Sequence, residues 1–274
     1  MEFLVPVLIF GLLAILAGAI LTFLSFKFPS ETSEEFDAVR EALPGLNCGT
    51  CGFAGCDEYA KKCVTEKIAS NLCIPGGNET AAKISAVTGV AFDEVKMVKA
   101  HVLCRGDYNA THDKYDYRGS LSCAASNMFY GGRSSCRDGC LGFGDCVAVC
   151  PSDAISVQNG VAVVNKAKCT GCLMCAKACP KHLIVPLTEE TEMVVSCVSK
   201  ANGKETRLTC QHGCIGCRLC IRTCVKGAVT VVDFHANIDP NLCDGCAKCA
   251  ENCPVGCITV LNGKVVIDPE TYFL

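Results

Sequence analysis

Sulfur carries the chemistry in this sequence. Of 274 residues, 26 are cysteine, several times ordinary usage. They come in bursts two or three residues apart, too tight for partners to pair within a burst. Disulfide frameworks scatter their cysteines among loops and need an oxidising compartment. Bursts of thiolates instead suit several sulfurs converging on one metal core. Three runs share one spacing: Cys243-x2-Cys246-x2-Cys249-x3-Cys253-Pro254, Cys169-x2-Cys172-x2-Cys175-x3-Cys179-Pro180, and Cys214-x2-Cys217-x2-Cys220-x3-Cys224, with Val225 in place of proline. Three close thiolates wrap one corner of an iron–sulfur cubane, and the fourth, opening the next helix, reaches a second cluster. Zinc prefers two separated C-x2-C pairs, which an x2-x2-x3 series fits poorly.

Each of these runs resembles the bacterial ferredoxin signature. A fourth run is wider, Cys136-x3-Cys140-x5-Cys146-x3-Cys150-Pro151; its glycines are expected to let a longer loop fold back toward the sulfurs. Paired in order, the runs give two tandem ferredoxin-like units, offset by about 74–78 residues, an internal duplication. Crossed ligation then predicts four clusters: Cys136, Cys140, Cys146 and Cys179; Cys169, Cys172, Cys175 and Cys150; Cys214, Cys217, Cys220 and Cys253; Cys243, Cys246, Cys249 and Cys224. Residues 258–267, with Asn262-Gly263 at the centre, read as a closing hairpin.

A different run lies nearer the N-terminus: Cys48-x2-Cys51-x4-Cys56, with Cys73 sixteen residues on. Glycines thread it, but no Lys-Ser/Thr follows as in a phosphate loop. Four thiolates again suit a [4Fe-4S] core, and residues 57–70 suit a helix that returns the chain to it. Of the six cysteines left, Cys104, Cys123, Cys197 and Cys210 flank the first ferredoxin-like unit, whose ends should lie close together. They are candidates for a further cluster, giving five or six [4Fe-4S] clusters in all. The alternative for these four is isolated structural cysteines. Cys63 and Cys257 read as packed residues. The five histidines are scattered singly and read as surface or core residues, with His212 the one close to a run.

The elements that must position this chemistry begin with an anchor. Residues 3–26 carry no charge; as a helix they would extend about 36 Å, enough for a hydrocarbon core of about 30 Å. The stretch is too long, and its flanks wrong, for a cleaved signal peptide. Lys27 after the span and Glu2 before it predict a single-pass protein of the cell inner membrane with its bulk on the cytoplasmic side. Gly11, Ala14 and Gly18 share one helix face that another membrane helix could approach. Thr32 and Glu35 have capping-box spacing ahead of a spacer helix with Phe36, Val39 and Leu43 on one face, ended by Pro44-Gly45. The expected fold class is α+β. Its expected divisions are an anchor over 1–29, a small helical membrane-proximal [4Fe-4S] domain over 30–100, the first ferredoxin-like unit with flanking segments over 101–210, and the second over 211–274. The net charge of -3 gives no reason to expect a nucleic-acid partner. No G-x-G-x-x-G follows a strand, so no dinucleotide site is indicated.

Taken together, the apolar N-terminus, the segment Leu46-Asn47-Cys48-Gly49-Thr50-Cys51-Gly52-Phe53-Ala54-Gly55-Cys56 and the Cys-Pro runs resemble the B subunits of Rnf complexes, the ion-translocating ferredoxin:NAD oxidoreductases of bacterial membranes. The likeness covers nearly the whole chain and is to the long version with two ferredoxin-like units. It departs at Val225 and at the widened Cys136 run. The resemblance implies an electron-transfer subunit of a translocase. It would accept electrons from reduced ferredoxin (or flavodoxin) and relay them to membrane and flavin-bearing partner subunits, with NAD reduction and ion pumping on other subunits.

Ferredoxins are commonly acidic. Lys200, Lys204, Arg207, Arg218, Arg222 and Lys226 crowd one region with only Glu205 opposing them, whereas residues 30–80 carry nine carboxylates against four Lys or Arg. Opposite charge steers encounter, so docking is expected on the second unit, around Lys204, Arg218, Arg222 and Lys226. Competing expectations are the iron–sulfur subunit of another membrane oxidoreductase, such as a hydrogenase or molybdoenzyme, and a redox sensor or assembly scaffold. A sensor needs one or two labile clusters rather than a chain of them.

Overall fold

The computed structural model describes residues 4–27, 33–188 and 190–261. Helix α1, Leu4–Lys27, stands apart from the rest, and its side chains from Pro6 to Leu24 are all exposed. An uninterrupted apolar helix left uncovered by its own protein has the length and character of a membrane span. Pro6 lies in its opening turns, where its missing N–H has no helical partner to lose.

A small helical domain follows. Helix α2, Glu34–Ala42, is capped by Ser33, whose Oγ accepts the Phe36 N–H at 3.2 Å. The expected cap at Thr32 is thus displaced by one residue, and Thr32 itself lies outside the described residues. Val39 and Leu43 point inward against α3, Cys56–Thr65, and α4, Gly77–Thr88. The sequence pattern does not anticipate α4; it ends on Gly89, whose left-handed backbone (φ +73°) suits the glycine cap. Tyr59 and Cys63 on α3 are fully buried between these helices.

The remainder is one topology used twice. In the first unit β1, Val98–Val102, pairs antiparallel with β4, Ile184–Thr188, while β2, Ile155–Gln158, and β3, Val161–Val164, form a hairpin. In the second, β5, Met193–Val195, pairs with β8, Ile258–Val260, and β6, Val229–Val232, pairs with β7, His235–Ile238. Each unit carries two one-turn helices: α6, Asp145–Ala148, and α7, Met174–Ala178, then α9, Leu219–Thr223, and α10, Lys248–Glu251. Each unit has its own core, and cysteines make up much of both.

Packing moves the expected boundary at residue 210. Because β5 supplies the outer strand of the second unit's sheet, that unit draws on residues well before it. Likewise β1 straddles the boundary expected at residue 100. Of the closing hairpin, Ile258–Val260 pairs with β5, and residues 262–267 lie outside the described residues. Two further short helices, α5 at Cys123–Asn127 and α8 at Gly203–Thr209, belong to the flanking segments.

Candidate metal centres

Each ferredoxin-type run folds the same way. The residue two after the first cysteine is a glycine with left-handed backbone: Gly142, Gly171, Gly216 and Gly245, with φ between +64° and +74°. At Gly171 a Cβ would sit 2.3 Å from the Val98 carbonyl oxygen, and at Gly216 2.8 Å from that of Phe234. Only glycine permits both that conformation and that approach. Two residues on, Gly144, Leu173, Arg218 and Ala247 are again left-handed and open the one-turn helices. This double turn winds three side chains inward.

The equivalence gives the wide run another alignment than the one expected. Its first member is Cys140, not Cys136, because Cys140-Leu141-Gly142 matches Cys169-Thr170-Gly171. The run is not stretched, since Cys140 to Cys150 spans the same ten residues as Cys169 to Cys179. Its middle thiol is missing, and Phe143 stands there. Cys123 fills the gap. One pocket is lined by Cys123, Cys140, Cys146 and Cys179, together with Leu141 and Leu183. Cys123 is held there by Asp145, whose carboxylate accepts the Cys123 N–H at 2.8 Å, the Ala124 N–H at 2.9 Å and the Ser122 hydroxyl at 2.9 Å. Burial pushes the Asp145 carboxyl up, but these donors outweigh it and hold it below the usual carboxylate range.

Cys136 belongs elsewhere. It lines a second pocket with Cys104, Cys197 and Cys210. That pocket gathers three of the four cysteines expected in the extra group, with Cys136 in place of Cys123. Its members come from both flanks because the segment after β1 is stitched to the segment after α8. Thr111 bridges Cys210 in antiparallel fashion, the Gln211 N–H donates to the Ala110 carbonyl at 2.8 Å, and the Thr111 hydroxyl donates to the Thr209 carbonyl at 2.7 Å. Asn202 caps the start of α8 through its Oδ1, and Cys210 follows the helix at its C-terminal end, its N–H donating to the Thr206 carbonyl at 2.8 Å.

In the second unit, one pocket is lined by Cys214, Cys217, Cys220 and Cys253, with Cys257 beside them. Another is lined by Cys224, Cys243, Cys246 and Cys249. In the first unit, Cys175 lies within electrostatic reach of Cys172, Cys169 and Cys150. In the helical domain, Cys73 lies within reach of Cys56, Cys48 and Cys51. Cys63 is buried on α3 and shares a hydrogen bond with Tyr59.

The donor set fits a cluster rather than a lone ion. Four or five thiols line the walls of each of four pockets, the all-sulfur set that a cubane takes. Four thiolates around a cubane stand apart by the width of its iron and sulfide core. Backbone N–H groups aim at several sulfurs: Ala154 at Cys150 (3.3 Å), Ala100 at Cys169 (3.4 Å), and Gly106 and Cys140 at Cys104 (3.4 Å each). Such donors support thiolate ligands and tune them. Burial, reinforced by neighbouring thiols, pushes Cys146 up to about 12 and Cys175 to about 11, and burial leads in raising Cys73 and Cys210 to about 11. Alone, these groups would stay protonated at neutral pH. A cationic metal core reverses that balance and deprotonates them.

Backbone hydrogen bonds and close thiols link neighbouring pockets. Cys104 of the extra group accepts the Cys140 N–H, and Cys197 of that group accepts the Cys214 N–H at 3.3 Å. Cys146 is within reach of Cys175. Toward the helical domain, Thr50 donates to the Cys172 carbonyl and Lys177 to the Cys48 carbonyl, both at 2.6 Å. At the far end Cys217 and Cys246 are exposed, as are Lys200, Lys204, Arg207, Arg218, Arg222 and Lys226. Three of the five histidines have other partners: His101 faces the Ser196 hydroxyl, His212 the Val255 carbonyl and His235 the Cys197 carbonyl.

Comparison with known proteins agrees with this picture. Family models match an Fe-S cluster domain over residues 43–75, a 4Fe-4S dicluster domain over 134–180 and a 4Fe-4S binding domain over 235–258. The chain is 37% identical to the B subunit of the Na(+)-translocating ferredoxin:NAD(+) oxidoreductase complex of Acetobacterium woodii, over 88% of this chain and 72% of that one. It is 36% identical to the B subunit of the ion-translocating oxidoreductase complex of Methanosarcina acetivorans, over 82% and 86%. It is 35% identical to the B subunit of the proton-translocating ferredoxin:NAD(+) oxidoreductase complex of Clostridium ljungdahlii, over 85% and 82%. With thiol groups of [4Fe-4S] type behind one apolar N-terminal helix, and likeness of this extent, the chain belongs to the B-subunit family of Rnf complexes, the ion-translocating ferredoxin:NAD(+) oxidoreductases.

Proposed function

We propose that this chain is the electron-input relay of such a complex, holding six [4Fe-4S] clusters in a row. The ligand sets are Cys243, Cys246, Cys249 and Cys224; Cys214, Cys217, Cys220 and Cys253; Cys104, Cys136, Cys197 and Cys210; Cys123, Cys140, Cys146 and Cys179; Cys169, Cys172, Cys175 and Cys150; and Cys48, Cys51, Cys56 and Cys73. Reduced ferredoxin, or flavodoxin, is the donor. Electrons leave the Cys48–Cys73 end for flavin-bearing and other membrane subunits, where NAD reduction and ion movement take place. Helix α1 crosses the inner membrane once and keeps the relay on the cytoplasmic side, in the four divisions the sequence suggests, with β5 assigned to the second ferredoxin-like unit.

The observation that carries this reading is the linkage of neighbouring thiol groups from exposed Cys217 and Cys246 to the helical domain nearest the membrane helix. When bound, the clusters supply one-electron chemistry. The protein's part is to fix their spacing, exclude water and aim N–H donors at sulfur. No substrate bond changes, so no acid, base or nucleophile is needed. Exposed Leu208, Leu219, Ile221 and Val225 are sequence neighbours of exposed Arg207, Arg218, Arg222 and Lys226, a mix of apolar and basic side chains that suits an acidic redox protein.

The test is iron and sulfide analysis of anaerobically purified protein, with EPR during reductive titration. Six clusters require about 24 iron per chain and five about 20. Zinc, or reduction by ferredoxin no faster than by a reduced basic redox protein of similar potential, would overturn the reading.

A further inference from the structure

The four runs are also equivalent four residues after their last cysteine. Ala154, Leu183, Ala228 and Cys257 occupy that position, and all are 1–2% exposed. Leu183 and Ala228 line the pockets of their own groups with apolar surface. Cys257 alone brings a thiol. Its Sγ lies 3.6 Å from the Cys253 Sγ, it also hydrogen-bonds Cys214, and it lines the pocket of Cys214, Cys217, Cys220 and Cys253. The group therefore contains five sulfurs where four suffice. The regular spacing already supplies those four, with Cys214 first and Cys253 last, so Cys257 is surplus to ligation.

We propose that Cys257 is a positioning residue that donates an S–H···S hydrogen bond to the Cys253 or Cys214 ligand sulfur, making the cluster of this set easier to reduce than it would be without that bond. This rests on the ligand sets proposed above. A donor to a ligand sulfur stabilises the form with more electron density on sulfur, which is the reduced one. No other run places a thiol at this position; Cys150 instead receives the Ala154 N–H and faces the Ser152 hydroxyl at 3.7 Å. The cluster concerned would be the one just behind exposed Cys217 and Arg218, so a raised potential favours capture of an electron arriving at that surface.

The experiment compares full-length, anaerobically purified wild type with Cys257→Ala and Cys257→Ser by iron content and EPR-monitored potentiometry. Alanine is what the first and third runs already hold at this position, so the fold has room for it. The expected result is unchanged iron, one midpoint shifted to a more negative value in Cys257→Ala, and a smaller shift in Cys257→Ser, which keeps a donor. Unchanged midpoints in Cys257→Ala would overturn the proposal. So would loss of about four iron per chain, which would make Cys257 a ligand. Cys214→Ala separates this from the underlying reading: if it costs no iron, the ligand set itself is wrong.

Discussion

The backbone N–H of Cys214 donates to the sulfur of Cys197 at 3.3 Å. These residues belong to different thiol groups, one inside the second ferredoxin-like unit and one between the units. A hydrogen bond from the backbone of one group to a sulfur of the next fixes two centres at contact distance, and the Cys140 N–H to Cys104 does the same on the other side. The intermediate group is therefore a coupling between two units that duplication alone would leave as neighbours.

Its membership gives the first prediction. Cys136→Ala and Cys104→Ala should each lose about four iron per chain, and the double variant should lose no more than either single one. Cys123→Ala should lose a different four, so Cys123→Ala with Cys136→Ala should lose about eight. If Cys136 instead shares a group with Cys140 and Cys146, the Cys104 and Cys136 losses will add.

Asp145 provides the second. Its carboxylate gathers the Ser122, Cys123 and Ala124 donors. Asp145→Ala should cost about 1 kcal/mol, as lost caps do, and selectively loosen the cluster that Cys123 completes, seen as faster iron release to a chelator. Its lowered carboxyl titration sets the sign with pH. The contribution is present above the unfolded carboxylate pKa and is lost as pH falls through the lower folded value. Asp145→Asn should show a flatter acid limb of stability.

Charge reversal tests the entry surface. Arg218→Glu with Arg222→Glu should slow reduction by ferredoxin at least tenfold at low salt, with the difference shrinking as salt rises, while reduction by dithionite stays unchanged. Equal rates and equal salt dependence in the two proteins would remove the second unit as the landing site.

Backbone geometry makes the fourth prediction comparative. Gly171→Ala meets both a left-handed φ of +74° and the Val98 carbonyl at 2.3 Å, so it should cost about 2–3 kcal/mol. Gly227 has φ +66° but nothing within 4 Å of an added Cβ, so Gly227→Ala should cost about 1 kcal/mol. Thermal unfolding of the two proteins under argon ranks them, and the reverse order would discredit the close-approach argument.

At the membrane-proximal junction, Lys177→Ala with Thr50→Val removes two hydrogen bonds to the carbonyls of Cys48 and Cys172. Each contributes about 1 kcal/mol. Iron content should hold, while electron flow into the Cys48–Cys73 centre slows in flash reduction. Unchanged flow would mean that other contacts set that distance.

Much of this is legible in sulfur spacing. The ferredoxin-type runs, the helical domain and the apolar helix follow from patterns of a few residues. The exchange of Cys123 for Cys136 does not follow, because a thiol supplied from outside a run leaves no trace in its spacing. A trace exists elsewhere: with Cys140 as the first member, Cys140 and Cys214, Cys150 and Cys224, Cys169 and Cys243, and Cys179 and Cys253 are all 74 residues apart. An approximate offset hides that regularity. Strands β1 and β5 are not legible because each pairs with a segment more than sixty residues away, and a pairing of that range has no local signature.

The stitching of Thr111 to Cys210 has one more consequence. In the relay proposed, a queue of redox centres offers no detour. Damage to the one between the two halves, by oxygen for example, would leave both outer stretches chargeable yet cut off from each other, like a blown fuse in an intact cable.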